Sequence, residues 1–226
     1  MVTGPKAVVI GASGGVGAAL VRLLTARGDE VLALSRASTP PVDLADEATI
    51  AAAAAAAGTD LALVIDATGF LHNGHFRPEK SWRELSTEHL AYSYLVNAVG
   101  PALLMKHFLP RLARGTRAVF ATLSARVGSI EDNRAGGWYS YRASKAALNQ
   151  LVRTAAVELA RTNREAVCFA LHPGTVATPL SAPFAKTGLE VREPDEAAAL
   201  LLGVLDRVTA TASGRLLDYR GEVIPF

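Results

Sequence analysis

Ala7-Val8-Val9-Ile10-Gly11-Ala12-Ser13-Gly14-Gly15-Val16-Gly17 is the stretch whose reading decides the architecture. Its four leading apolar residues form the short continuous run that a parallel strand buried on both faces requires. An alanine- and leucine-rich helix follows, from about Ala18 to Arg27. Strand, glycine turn and helix together make a cradle for a pyrophosphate. Glycines let the backbone come close, and the first N–H groups and the helix dipole face the anion. The spacing is G-x-x-x-G-x-G, not the G-x-G-x-x-G of the best-known dinucleotide fingerprint. An ordinary tight turn also uses glycine at positive φ, but three spaced glycines exceed what a turn needs.

Downstream, Gly28 closes the helix as a C-cap and Val31-Leu32-Ala33-Leu34 forms a second strand ending at Ser35-Arg36. An acidic residue at this point takes the 2′-hydroxyl of NAD, whereas an arginine suits a 2′-phosphate. Arg36 without an acid beside it therefore favours NADP over NAD, although an arginine at a strand end is also commonly just solvated. Pro41-Val42-Asp43-Leu44 reads as a short third strand, with Asp43 either accepting from an adenine amino group or capping the next helix. The run Ala51 to Ala57 is strong helix former closed by Gly58. A fourth strand, Leu61 to Ile65, leads into Asp66-Ala67-Thr68-Gly69.

A loop from about Phe70 to Trp82 carries His72 and His75; with no third ligand nearby, the pair argues against a metal. A long helix spans about Thr87 to Phe108, holds Asn97 and should kink at Gly100-Pro101. Ala118 to Leu123 is the fifth strand, with Ser124 at its end. The loop through Gly136-Gly137-Trp138 leads to a helix carrying Tyr141, and a sixth strand ends in His172-Pro173-Gly174. Residues 181–193 read as a lid-like segment, followed by a helix from Asp195 to Val208 and a last strand at Gly214 to Asp218. Strands alternate with helices throughout. The expected fold is one α/β domain over residues 1–226, a Rossmann-type doubly wound parallel sheet with helices on both faces.

Composition agrees. The 226 residues with 50% hydrophobic content suit one sizeable core, and a net charge of +2 gives no footprint for nucleic acid. The single cysteine, Cys168, excludes an internal disulfide and lies in an apolar run that suits a structural thiol. Glycines interrupt the apolar stretch after Lys6, against a signal peptide, and no run approaches the ~20 residues of a membrane span. The expectation is a cytoplasmic protein with no membrane partner.

The chemistry centres on Tyr141-Arg142-Ala143-Ser144-Lys145. Residues four apart on a helix sit about 40° from each other around its axis. A cation ~4 Å from a phenol, at an effective dielectric of about 20, favours the phenolate by roughly 4 kcal/mol, or about three pKa units. Desolvation pushes the other way. Such a pair can exchange a proton with a carbonyl or alcohol oxygen near neutral pH. Alone, the spacing equally fits a tyrosine packed beneath a solvated lysine.

In combination these motifs resemble the short-chain dehydrogenase/reductase family over essentially the whole chain. The likeness rests on Gly11-x-x-x-Gly15-x-Gly17, Asn97, Ser124, Tyr141-x-x-x-Lys145 and Pro173-Gly174-x-x-x-Thr178, in the family's order. The run Ser124 to Ile130, the stretch from Gly136 to Lys145 and His172-Pro173-Gly174-Thr175-Val176 resemble its C-factor-like branch. The resemblance implies that Tyr141 exchanges the proton, that Lys145 lowers its pKa and holds the nicotinamide ribose, and that Ser124 binds the substrate oxygen. It also implies that Asn97 anchors a proton-relaying water. An NADP shell follows from it: Gly11, Ser13, Gly14, Gly15, Val16 and Gly17 in the turn, then Arg36, Asp43 and Leu44, then Thr68 and Gly69. Tyr141, Lys145, Pro173, Gly174, Val176 and Thr178 complete that shell.

Two departures stand out. Asp66-Ala67-Thr68-Gly69 replaces the usual Asn-Asn-Ala-Gly, which puts the sheet brace of the second asparagine in doubt. Ala125 takes the place of a second serine that is often catalytic, leaving Ser124 as the choice and Ser129 as the reserve. The implied function is an NADP-dependent carbonyl reductase or alcohol dehydrogenase, assembled as a homodimer or homotetramer. The rival is a dinucleotide-binding signalling or regulatory protein with little turnover. His72, Phe76, Trp138, Tyr139 and Phe184 are the candidate pocket residues, and they suggest an apolar or aromatic small-molecule carbonyl substrate.

Overall fold

The computed structural model describes residues 4–184 and 190–226. Its first half runs β1 (Lys6–Ile10), α1 (Gly15–Ala26), β2 (Glu30–Leu34), α2 (Glu47–Ala57), β3 (Leu63–Asp66), α3 (Thr87–Tyr94) and α4 (Gly100–Phe108). The second half runs β4 (Ala118–Leu123), α5 (Tyr139–Thr162), β5 (Ala166–His172), β6 (Thr175–Val176), β7 (Val191–Arg192), α6 (Pro194–Arg207), β8 (Leu216–Asp218) and β9 (Val223–Ile224).

Seven strands form the central sheet in the order β2-β1-β3-β4-β5-β8-β9, parallel except for the antiparallel edge strand β9. Side chains alternate across it. Val8, Ile10, Phe120 and Cys168 meet α2, α4 and α5 on one face, while Ala7, Val9, Val119 and Phe169 meet α1 and α6 on the other. That two-sided burial explains the continuous apolar strands, and it confirms the doubly wound expectation. Burial also pushes the Cys168 thiol up to about 12, which leaves it inert at neutral pH. No described helix is long and apolar enough to cross a membrane, and no three His, Cys, Asp or Glu among the described residues cluster as a metal site.

Two expectations need correction. Residues Pro41-Val42-Asp43-Leu44 form no strand; consecutive prolines at 40 and 41 remove ladder donors, and Val42 N–H instead bonds Ser35 O. The helix from Thr87 to Phe108 is interrupted by a π-helical turn at Leu95–Val99, not by a simple proline kink. Pro101 lacks the N–H that would reach Asn97 O, and Gly100 N–H reaches back to Leu95 O. Of the lid-like segment 181–193, residues 185–189 lie outside the described residues. Beside them, Val191–Arg192 pairs with Thr175–Val176.

Candidate active site

The carboxyl ends of the parallel strands leave a crevice with the glycine turn at one side. Gly11 adopts φ +82°, which glycine takes without strain. A Cβ on Gly17 would collide with Gly11 O, and one on Gly15 would lie 2.7 Å from Thr178 Cγ2. The glycines therefore bring turn, helix and the Thr178 loop closer than side chains allow. Helix α1 starts at Gly14 with no side-chain cap, so the N–H groups of Gly15, Val16 and Gly17 lack intrahelical partners. Ser13 and Gly14 are exposed. This cradle fits the phosphates of a dinucleotide.

The residues expected around the cradle stand as follows. Arg36 is exposed and makes no ion pair among the described residues. Asp43 does not cap α2; its Oδ1 accepts from Ala45 N–H at 2.9 Å, and Asp46 caps the helix instead. Leu44 packs against Gly100, where a Cβ would sit 2.7 Å from Leu44 Cβ. Gly174 adopts φ +79°, a Cβ there would press on the Tyr219 ring, and Val176 is buried in β6. Pro173 precedes it, after His172. The His172 Nδ1 is buried without a partner, and burial together with Arg126 brings the imidazole down to about 4.

The brace placed in doubt is supplied by Asp66. Its buried carboxylate accepts from Thr68 N–H (3.0 Å), Thr68 Oγ1 (2.6 Å) and, across to β4, Thr122 Oγ1 (2.6 Å). Burial still raises its pKa, against these hydrogen bonds and nearby Lys145. Lys145 Nζ donates to Leu123 O at 2.8 Å, and a Cβ on Gly69 would lie 3.8 Å from Nζ. Burial brings Lys145 down to about 8, with Asp66 offsetting part of that effect.

The tyrosine differs from expectation. Part of its surface remains accessible, yet the surrounding protein pushes the Tyr141 phenol up to about 12. Lys145 does not lower it; the ammonium donates to Leu123 O at the end of β4 and feels Asp66 of β3 electrostatically. Asn97 is fully buried and its amide is spent: Oδ1 accepts from Phe70 N–H, while Nδ2 donates to Phe70 O and Ser144 Oγ. Its backbone carbonyl is one that Pro101, four residues on, cannot bond.

The serines also need correction. Ser124 Oγ donates to Asn149 Oδ1 at 2.8 Å. Asn149 lies eight residues beyond Tyr141, about 12 Å down the helix axis, so Ser124 points away from the phenol. The Ser129 hydroxyl accepts from Asp132 N–H. Ala125, in the place of the second serine, offers no hydroxyl at all.

Helix α5 enters the crevice through a left-handed run. Gly136, Gly137 and Trp138 have φ of +62°, +66° and +54°. For a tryptophan that conformation costs roughly 1–2 kcal/mol. What holds it is Glu79, a loop carboxylate missed in the sequence. The Glu79 backbone oxygen accepts from Trp138 N–H, and its side chain accepts from Ser140 N–H and Ser140 Oγ and meets His89 Nδ1 at 3.1 Å. Glu79 thus caps α5 from 61 residues away, a partnership with no local signal.

The Trp138 ring lies 6.2 Å from Tyr141 and 5.2 Å from Phe184, and Phe184 lies 5.2 Å from His72. His72 Nε2 sits within hydrogen-bond distance of Pro179 O and Leu180 O, so it carries the proton. These three rings wall a cavity of about 1090 Å³ beside Tyr141. Phe76 does not line it, being stacked on His89 at 4.8 Å, nor does Tyr139. Arg77, Lys80 and Arg142 do, and sequence reasoning passed over all three.

A family model described as enoyl-(acyl carrier protein) reductase matches residues 11–206. C-signal of Myxococcus xanthus is 36% identical over 137 residues, covering 61% of this chain and 78% of that protein. The 1-hydroxy-2-glutathionyl-2-methyl-3-butene dehydrogenase of Rhodococcus sp. (strain AD45) is 30% identical over 227 residues, 96% and 97% of the two chains. Among solved structures, an NADPH-bound carbonyl reductase from chicken fatty liver superposes over 100% of both chains, with a TM-score of 0.84 and 27% identity.

Proposed function

The chain belongs to the short-chain dehydrogenase/reductase family of oxidoreductases, and from that premise we propose that it reduces a small carbonyl compound with NADPH, Tyr141 giving the proton. The observation that carries this reading is the Tyr141 phenol itself. It stands protonated at neutral pH, its ring 6.2 Å from that of Trp138, which lines the cavity, and one helical turn from a buried lysine. A protonated phenol is the form that can give a proton to a carbonyl oxygen, as reduction requires.

Bound NADPH would supply the hydride. The chain's own residues supply the rest. Gly15, Val16 and Gly17 N–H groups receive the phosphates, Arg36 the 2′-phosphate, and Thr178 with the backbone at Val176 the carboxamide. Tyr141 donates to the substrate oxygen, and Lys145 holds the ribose and returns a proton through water at the Asn97 carbonyl. The NADPH-bound carbonyl reductase from chicken fatty liver supports the cofactor choice. We expect a homodimer or homotetramer, consistent with the exposed Tyr92, Tyr94 and Val157 on the helices beside the crevice.

A second reading, cofactor binding with little turnover, draws on the missing hydroxyl at Ala125. Single-turnover oxidation of bound NADPH by a panel of carbonyl compounds separates the two. Reduction by several aldehydes or ketones, abolished in Tyr141→Phe with NADPH affinity retained, is the expected result. NADPH that binds but is never oxidised would favour the second reading.

A further inference from the structure

The lining of the cavity next to Trp138 combines two kinds of group: the rings of His72, Trp138 and Phe184, and the cations Arg77, Lys80 and Arg142. No carboxylate is among its described lining residues. Of the acids nearby, Glu79 faces Ser140 and His89, Glu84 accepts from the Lys80 N–H and Asp132 pairs with Arg126; none forms an ion pair with Arg77, Lys80 or Arg142 among the described residues. Arg77 and Lys80 are exposed and take part in no ion pair among the described residues. Arg142 is fixed by carbonyls, its Nε donating to Gly137 O at 3.0 Å and its Nη1 to Val127 O at 3.2 Å. Carbonyls orient a guanidinium without neutralising it. Asp132 acts on it only at a distance.

Three like charges around one concavity repel each other, and focused fields of this kind raise the local concentration of a counter-charged ligand. The space, about 1090 Å³, is also at the upper end for a drug-sized molecule and far more than a small aldehyde needs. We propose that the substrate carries an anionic group, a carboxylate or phosphate, apart from its reacting carbon, and that Arg77, Lys80 and Arg142 hold it while the rings clasp the apolar body. This rests on the oxidoreductase reading of the same site. It narrows the substrate class from apolar or aromatic carbonyls to anionic ones.

The test uses 4-formylbenzoate and its methyl ester, which differ in charge and little else. With NADP present, binding is read from quenching of Trp138 fluorescence in a Trp82→Phe background, since the chain has two tryptophans. The acid should bind about tenfold tighter than the ester at low ionic strength, as two or three screened ion pairs allow. About 0.5 M NaCl should collapse that preference. The charge reversal Arg77→Glu with Lys80→Glu should invert it. Equal or tighter binding of the ester, or a preference that survives charge reversal, overturns the inference. With NADPH, the ratio of kcat/KM for the same pair should move in step. Turnover of both compounds without preference overturns the anion site and leaves the oxidoreductase. Preferential binding without turnover of either does the reverse.

Discussion

Two helices bring their N-termini to the crevice, and they meet it in opposite states. Helix α1 begins at Gly14 with no side chain over its first turn, so three N–H groups face outward. Helix α5 begins at Trp138, also without a cap of its own, but Glu79 arrives from a distant loop and takes the Ser140 N–H. One terminus is left open to an anion that comes and goes; the other is closed by an anion that stays. Both carry the same partial positive charge. The difference shows that what a helix end does is decided by which acceptor the rest of the chain brings to it. The open end binds. The closed end holds Tyr141 and Lys145 in place.

The largest expected effect is at the open end. Gly17→Ala should weaken NADPH binding by about a hundredfold or more, because its Cβ meets the Gly11 backbone carbonyl, which cannot rotate aside. Gly15→Ala should cost less, about tenfold, since its Cβ meets a methyl group of Thr178 that can turn away. Titration of NADPH fluorescence ranks the two. Equal losses would mean that the cradle is not what brings these elements together.

Next comes the closed end. Glu79→Gln keeps the shape and removes the charge facing Ser140 and His89. It should cost about 2–3 kcal/mol of stability, the range for breaking charged buried hydrogen bonds. It should also lower kcat about tenfold while leaving NADPH affinity within a factor of two or three. A thermal melt and a cofactor titration on one preparation check it. If NADPH affinity fell and kcat held, the assignment of roles to the two termini would be reversed.

The two ends were also unequally legible in the sequence. The open end is local: a buried apolar run, spaced glycines and a helix follow one another, so spacing alone reveals it. Tyr141 and Lys145 were legible for the same reason. What spacing does not carry is where a side chain points after the fold closes. The Lys145 ammonium is aimed by Leu123 O and held charged by Asp66, Ser124 is turned by Asn149, and the α5 cap comes from Glu79; each partner lies 22 or more residues away. The missing strand at Pro41–Leu44 fails differently, since its hydrophobic residue is buried as expected but prolines deny the ladder its donors.

Lys145 gives a smaller, pH-dependent test of the closed end. Its pKa stands at about 8, lowered by burial, so the ammonium is present below that pH and lost above it. If its charge holds the ribose and feeds protons to Tyr141, kcat should be level at pH 6–7 and fall as pH rises through about 8, approaching tenfold per unit. Asp66 raises the Lys145 pKa, so Asp66→Asn should shift that limb to lower pH. A profile flat to pH 10 would remove Lys145 from the proton path.

The smallest expected effect is a gain. The closed end positions a phenol pushed up to about 12, a weak acid that stabilises a developing alkoxide only through that one bond. A second donor would share the charge. The Ser124 hydroxyl is engaged with Asn149 two helical turns below, and Ala125 is buried at the position where the family resemblance leads one to expect a second serine. Adjacent residues leaving a strand point to opposite sides, so position 125 is free of the Asn149 interaction that holds Ser124. Ala125→Ser adds one oxygen in a place the backbone already provides, and should raise kcat up to about tenfold, less than the full worth of a preorganised donor. Ser124→Ala should leave the chemistry nearly intact and lower stability by about 1 kcal/mol through the unpaired Asn149. Single-turnover rates and melts of both variants decide it. Loss of turnover in Ser124→Ala with no gain in Ala125→Ser would mean that Ser124 leaves Asn149 when substrate binds, and that the closed end is less rigid than its cap implies.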